Sequence, residues 1–272
     1  MINTSPLTDS DPAAISCPTN FIAVPADTSV GVSAFCVMKF KAKDVAGVAT
    51  SQGALTPWVS ITLSAAKTAC TDLGPQYDLI SNPEWLALAR NIETVPSNWS
   101  GDAVGVGMLS RGHSDDSPSE VLATIDEADA YDGTGNDSSD LPGSGWEQKR
   151  TLTLSNDEVI WDLSGNTTEW VDWSPASGLQ GPPLTCTQHN TEFPDVICPE
   201  LLANDYLPTS PAYENDKGIG MFIGNIWEYD TIGVRRGGEY DADDGAGVFA
   251  LKLFAQPTWS NDYNGFRCVY RL

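Results

Sequence analysis

Histidine is nearly absent from this chain, which has only His113 and His189. That scarcity argues against histidine-based metal centres, which want close pairs or clusters. Basic residues are also few, 14 Lys and Arg against 37 Asp and Glu, for a formal charge of −23. A field of that sign repels nucleic-acid phosphates and anionic lipid headgroups, so neither is an expected partner. No stretch approaches the roughly 20 apolar residues of a membrane-spanning helix, so membrane insertion is not expected. The opening "MINTSPLTDSDPAAIS" has neither the basic start nor the apolar run of a secretory leader. No C-x-x-C pair occurs among Cys17, Cys36, Cys70, Cys186, Cys198 and Cys268, so they do not read as zinc ligands. An even set reads instead as disulfides, with free buried thiols as the alternative. Oxidised cysteines fit a protein released by lysis, carried on a virion, or exposed outside the cell.

What is present is ordinary globular material, 41% hydrophobic and 19% charged over 272 residues, enough for a substantial core. Residues 1–16 are polar and read as an N-terminal arm, with residues 17–272 forming a single domain. Phe21–Val24 and Phe35–Phe40 alternate like strands, the second placing Phe35, Val37, Lys39 and Lys41 on one face. "SITLSAAKTACTDLG" sets Leu63, Ala66, Cys70 and Leu73 on one helical face, with Gly74 as its stop. "SNPEWLALARNI" predicts a second helix, with Asn82 as cap and Pro83 at the first helical position. Thr151–Leu154, the turn Ser155–Asn156–Asp157 and Val159–Leu163 predict a hairpin. The Gly/Ser/Asp-rich stretch 97–150 is too long for a bare loop and should fold on its own side chains. Without a helix–strand alternation at parallel-sheet spacing, the class is α+β with mainly short antiparallel strands and two helices.

The end of the chain, "GAGVFALKLFAQPTWSNDYNGFRCVYRL", mixes two kinds of position. Val248, Phe249, Leu251, Leu253, Phe266 and Val269 suit strand and core. Between them stand Lys252, Phe254, Ala255, Trp259, Asn261, Asp262 and Tyr263, preceded by Glu239, Tyr240, Asp241, Ala242, Asp243 and Asp244. No single packing environment selects that mixture, whereas aromatic anchors among small and polar neighbours match binding loops. The alternative is an irregular loop with scattered aromatics.

The order of elements, together with "SGNTTEWVDW", "IGNIWEY", "VRRGGEY" and "NGFRCV", resembles the formylglycine-generating-enzyme (sulfatase-modifying factor) branch of the C-type lectin fold. The C-terminal segment more narrowly resembles the variable region of diversity-generating retroelement proteins, with the frame G-V-F-A-L-x-L-x-x-A-P-x-x-S-x-x-x-x-G-F-R and open positions randomised between. Gln256 and Asn264 depart from that pattern. The resemblance implies a non-enzymatic ligand- or receptor-binding protein whose variable region, about 236–268, meets a protein or other surface ligand on a host or neighbouring cell. It implies a place on a virion tail or fibre tip, or on an extracellular surface.

The same resemblance implies a Cys70–Cys268 disulfide, with Cys17–Cys36 and Cys186–Cys198 completing the set and Cys36–Cys268 as a competing pairing. A cysteine-modifying oxidase is the second reading, but it needs a reactive cysteine pair that no neighbour of Cys268 in sequence supplies. A calcium-dependent sugar binder is the third; "QPTWSND" only partly matches its motifs, since Thr258 stands where the first needs Asp. No cofactor is expected; structural calcium on Asn166 and Glu169, or on Asn225 and Glu228, is the one exception the resemblance allows, against internal hydrogen bonding by those side chains.

Overall fold

The computed structural model describes residues 15–115, 121–135, 149–173, 191–199, 201–210, 212–224 and 232–272. Cys186, His189, Asn225, Glu228 and nearly all of the N-terminal arm lie outside these residues. Two sheets carry the fold. The first has four antiparallel strands, β1 (Phe21–Val24), β2 (Phe35–Met38), β5 (Tyr77–Leu79) and β13 (Cys268–Tyr270), in the order β1-β2-β13-β5. The second runs β12-β8-β10-β11-β9, from β8 (Thr168–Val171), β9 (Phe222–Ile223), β10 (Gly233–Gly237), β11 (Gly247–Ala255) and β12 (Asn264–Gly265). Its centre, β8-β10-β11, is antiparallel, while the two-residue edges β9 and β12 pair in parallel. Hairpins β3–β4 (Ala42–Val45, Val48–Ser51) and β6–β7 (Thr151–Thr153, Val159–Trp161) stand beside the sheets.

Helix α1 (Leu63–Thr71) turns Ala66 and Cys70 into a core with Met38, Leu79, Phe266 and Cys268. Thr62 caps it, accepting a hydrogen bond from Ala65 N at 3.2 Å. Helix α2 (Asn82–Glu93) buries Trp85, Leu86, Ala89 and Ile92 in a larger core with Val248, Phe249, Leu251 and Leu253. Trp85 Nε1 donates to Val248 O at 2.7 Å, fixing the helix to β11. The cap of α2 is Ser81 rather than Asn82. Ser81 Oγ and Glu84 form a reciprocal capping box, and Asn82 is drawn off to accept two bonds from the Arg236 guanidinium.

Disulfides join Cys17 to Cys36 and Cys70 to Cys268, so the competing Cys36–Cys268 pairing does not occur. Cys198 is also disulfide-bonded. Strand β2 ends at Met38, earlier than the pattern predicts, and Lys41 does not share the outward face of Lys39. It enters a buried ionic cluster instead. Lys41 Nζ donates to Glu169 Oε1 at 2.7 Å, and Arg267 holds both Glu169 oxygens at 2.7 Å. Arg150 grips Asp162 through Nε and Nη2, at 2.7 and 2.5 Å, and reaches the carbonyls of Thr124 and Asp132. Asn166 bonds to Asp162 and to the Ala123 backbone, so the irregular segment around Ala123 is knitted to the chain before β8 by side chains.

Candidate binding face

The register of the second sheet sorts the two neighbouring arginines of β10. Arg235 lies opposite Lys252 on β11 and Trp170 on β8, so those three side chains share one face. Arg236 lies opposite Leu251 and Glu169 and turns into the interior toward Asn82. At the end of β10 the chain turns sharply through Gly237 and Gly238, at φ +90° and +87°. A Cβ on Gly238 would stand 2.6 Å from Ala246 Cα, so only glycine lets Glu239 and Tyr240 start where they do.

Arg235 is the floor of the face. Its guanidinium lies 4.9 Å from the Phe254 ring centroid and 5.7 Å from those of Tyr263 and Trp170. Rings of negative face stabilise a cation at that range. Its Nη1 donates to Asn264 Oδ1 at 2.5 Å. Burial pushes the Arg235 pKa down, opposed by nearby Glu239 and Tyr263. Lys252 is 6% exposed and gives its ammonium to both oxygens of Glu239 at 2.5 Å. Burial lowers the Lys252 pKa too, with Glu239 the main opposing charge and Asp241 a lesser one.

Above this floor stand partly exposed aromatics. Phe254 meets Trp259 edge to face at 6.4 Å, and the Tyr263 hydroxyl accepts from Asn261 Nδ2 at 2.7 Å. Tyr240 stacks on the buried ring of His113 at 6.3 Å. Asp241, Asp243, Asp244 and Asp262 are exposed, and Ala242 is half-buried. The backbone beneath is fixed. Ser60 N donates to Asn261 O, Leu63 N to Pro257 O and Thr168 N to Tyr263 O, all at 3.0–3.1 Å. Phe266 is fully buried beside Trp58, and Trp259 packs against the edge of that same core.

The structure brings most of the sequence-derived set together, with two corrections. Ala255 has no exposed surface and packs in the core with Trp170 and Phe266, so it is not a contact. The register between β10 and β11 shifts by a bulge just before it, which breaks the simple alternation. Lys252 is a spacer that orders Glu239 rather than an outward cation. Arg235 and His113 are the additions. The alternation of "VRRGG" signals that one arginine faces each way, but only the pairing with β11 says which.

Asn166 and Glu169 do not fit calcium. Both Glu169 oxygens already serve Lys41 and Arg267, and Asn166 Oδ1 accepts from Ala123 N. A divalent cation there would add charge to a cluster already rich in cations. Among the described residues no group of three or more His, Cys, Asp or Glu side chains could hold a metal ion. Asn98, which with Trp99 and Ser100 makes an N-x-S glycosylation pattern, is 2% exposed and bonded through its amide to Ile92 O and Thr153 O, which leaves no room for a glycan.

No protein-family model and no curated protein sequence matches the chain. Among solved structures, PvdO from Pseudomonas aeruginosa is similar at TM-score 0.35 and 13% identity, covering 89% of this chain and 82% of its own. The Major Tropism Determinant I1 variant is similar at TM-score 0.37 and 14% identity, over 97% of this chain. The P3c variant gives 0.37 and 13% over 96% of this chain. The chain spans 55% of the length of each of those two.

Proposed function

We propose that this chain is a non-enzymatic recognition protein on a C-type lectin fold of the formylglycine-generating-enzyme subtype, and that the face between Glu239 and Tyr263 binds its ligand. One observation carries the reading. Partly exposed aromatics stand on a backbone locked by Ser60, Leu63 and Thr168, so side chains at the face can change while the scaffold beneath stays fixed. That separation is what diversification by a retroelement requires, and it matches the sequence frame, whose apolar positions Val248, Phe249, Leu251 and Leu253 are all buried. The absence of catalysis is supported by Cys268, which is buried in a disulfide with Cys70 and offers no thiolate. The disulfides fit an oxidising setting, a virion or an extracellular surface.

The test contrasts face with frame. Trp259→Ala with Tyr263→Ala should abolish attachment to the native target surface while shifting stability little, since each side chain keeps an exposed edge. Phe249→Ala or Phe266→Ala should destabilise by roughly 3–5 kcal/mol, because both rings are wholly buried. Thermal melts and binding are measured on the same preparations. A double variant that unfolds like Phe266→Ala would make those positions core and end the proposal.

A further inference from the structure

Between Glu239 and Gly265 the chain carries five carboxylates and a single basic residue, Lys252. That lysine is buried and cancelled by Glu239, and the cation beneath the face, Arg235, is 1% exposed. Positive charge is therefore turned inward, while Asp241, Asp243, Asp244 and Asp262 are exposed in the segments that carry Tyr240 and Tyr263. Such a surface attracts cations twice over, through carboxylates at its rim and through ring faces.

A lone quaternary ammonium would want several rings around one point. The three-ring cage of Phe254, Tyr263 and Trp170 is already filled by this chain's own guanidinium. What remains outward is spread out: Tyr240 on its His113 support, the Phe254–Trp259 edge, and Asp262 beyond them. In the floor, Arg235 Nε and Asn264 Nδ2 are buried donors with no acceptor among the described residues. A peptide brings main-chain carbonyl acceptors together with cationic side chains; a simple amine brings no acceptor.

We infer that the partner is a basic protein segment, lysines or arginines interleaved with apolar side chains, lying across this face. The inference rests on the proposed function and adds the chemistry of the ligand to it.

A displayed library of random peptides, about 12 residues long to span a face of this kind, is panned on the wild-type protein at ~0.15 M salt. The Trp259→Ala/Tyr263→Ala variant, checked for folding by its melt, serves as counter-selection. Enriched peptides should be net basic with aromatic or aliphatic residues. They should lose about ten-fold or more in affinity against Asp241→Asn/Asp262→Asn, but less than about two-fold against the exposed control Asp72→Asn/Asp157→Asn. Peptides that need Trp259 and Tyr263 yet are neutral or acidic overturn the inference and leave the proposed function standing. Equal losses in the face and control variants reduce the effect to net charge and overturn it too. With no dependent peptide the inference also fails. Phosphatidylcholine vesicles bound by wild type and not by the double variant would then assign the face to a lipid headgroup. Failure of both probes, together with unchanged target attachment by the double variant, overturns the proposed function as well.

Discussion

Lys43 sits in β3 with no exposed surface, and its ammonium has no hydrogen-bond partner among the described residues. Lys41, Arg150 and Arg267 act on it against Asp162, and with Glu169 held by Lys41 and Arg267 this buried cluster has, among the described residues, more cations than anions. Burial, with Arg150 and the other cations adding to it against Asp162, pushes Lys43 down to about 7. An unfolded lysine titrates near 10.4. Between those values the unfolded chain binds a proton that the folded one does not, so stability rises with pH across this window. Below about 7 both states are protonated and this contribution is constant. Lys43→Met should therefore stabilise the protein most at neutral pH, by up to ~5 kcal/mol, with the advantage shrinking toward pH ~10. Urea unfolding of both proteins at several pH values checks it. Parallel stability–pH curves for wild type and variant would mean that the amine is charged or solvated in the fold.

At the level of elements, local pattern was a good guide wherever the signal was local. Leu63, Ala66 and Cys70 placed α1, Pro83 placed the start of α2 one residue late, and Ser155–Asn156–Asp157 placed the β6–β7 turn, where Asp157 takes φ +65°. It failed where a distant partner decides. Ser81 and Asn82 are both good caps, and the choice between them turns on Arg236, 154 positions away. Lys41 reads as sharing a strand face with Phe35, Val37 and Lys39 until Glu169, 128 positions on, claims it. Of the face, the aromatic and acidic residues were legible by composition, but the floor was not, because the fates of Arg235 and Arg236 depend on strand register. The tight turn after β10 shows how the frame aims the face. Gly238→Ala would force φ +87° on a side chain whose Cβ meets Ala246 at 2.6 Å. We expect roughly 1–3 kcal/mol of backbone strain, more if the clash is not relieved, and a displaced Glu239 that no longer holds Lys252. A lowered melting temperature together with weakened binding checks this. An unchanged melt would mean the turn is slack.

Across the whole molecule, α1 is the bracket between scaffold and face. Its first residue, Leu63, donates to Pro257 O at the base of the loop bearing Trp259, and Cys70 near its other end is tied to Cys268. The Cys70–Cys268 link closes 198 positions of sequence, whereas Cys17–Cys36 closes 19. If the stabilisation comes from restricting the unfolded chain, the longer closure is worth about 5 kcal/mol and the shorter about 3 kcal/mol. Cys70→Ala/Cys268→Ala should therefore cost more in urea unfolding than Cys17→Ala/Cys36→Ala, an order that burial reinforces, since Cys70 and Cys268 have no exposed surface whereas Cys17 is half-buried. Loss of the long link should also loosen the face, seen as faster amide exchange across residues 256–263, because the hydrogen bonds from Leu63 and Ser60 and the packing of Trp259 then hold that loop on the α1 side without a covalent tie behind them. The shorter link ties β2 to the segment before β1 and touches neither α1 nor residues 256–263, so its removal should leave that exchange unchanged. Equal stability costs would show that loop length does not govern, and unchanged exchange after removal of Cys70–Cys268 would show that α1 is held by packing of Ala66 and Leu63 against the core instead.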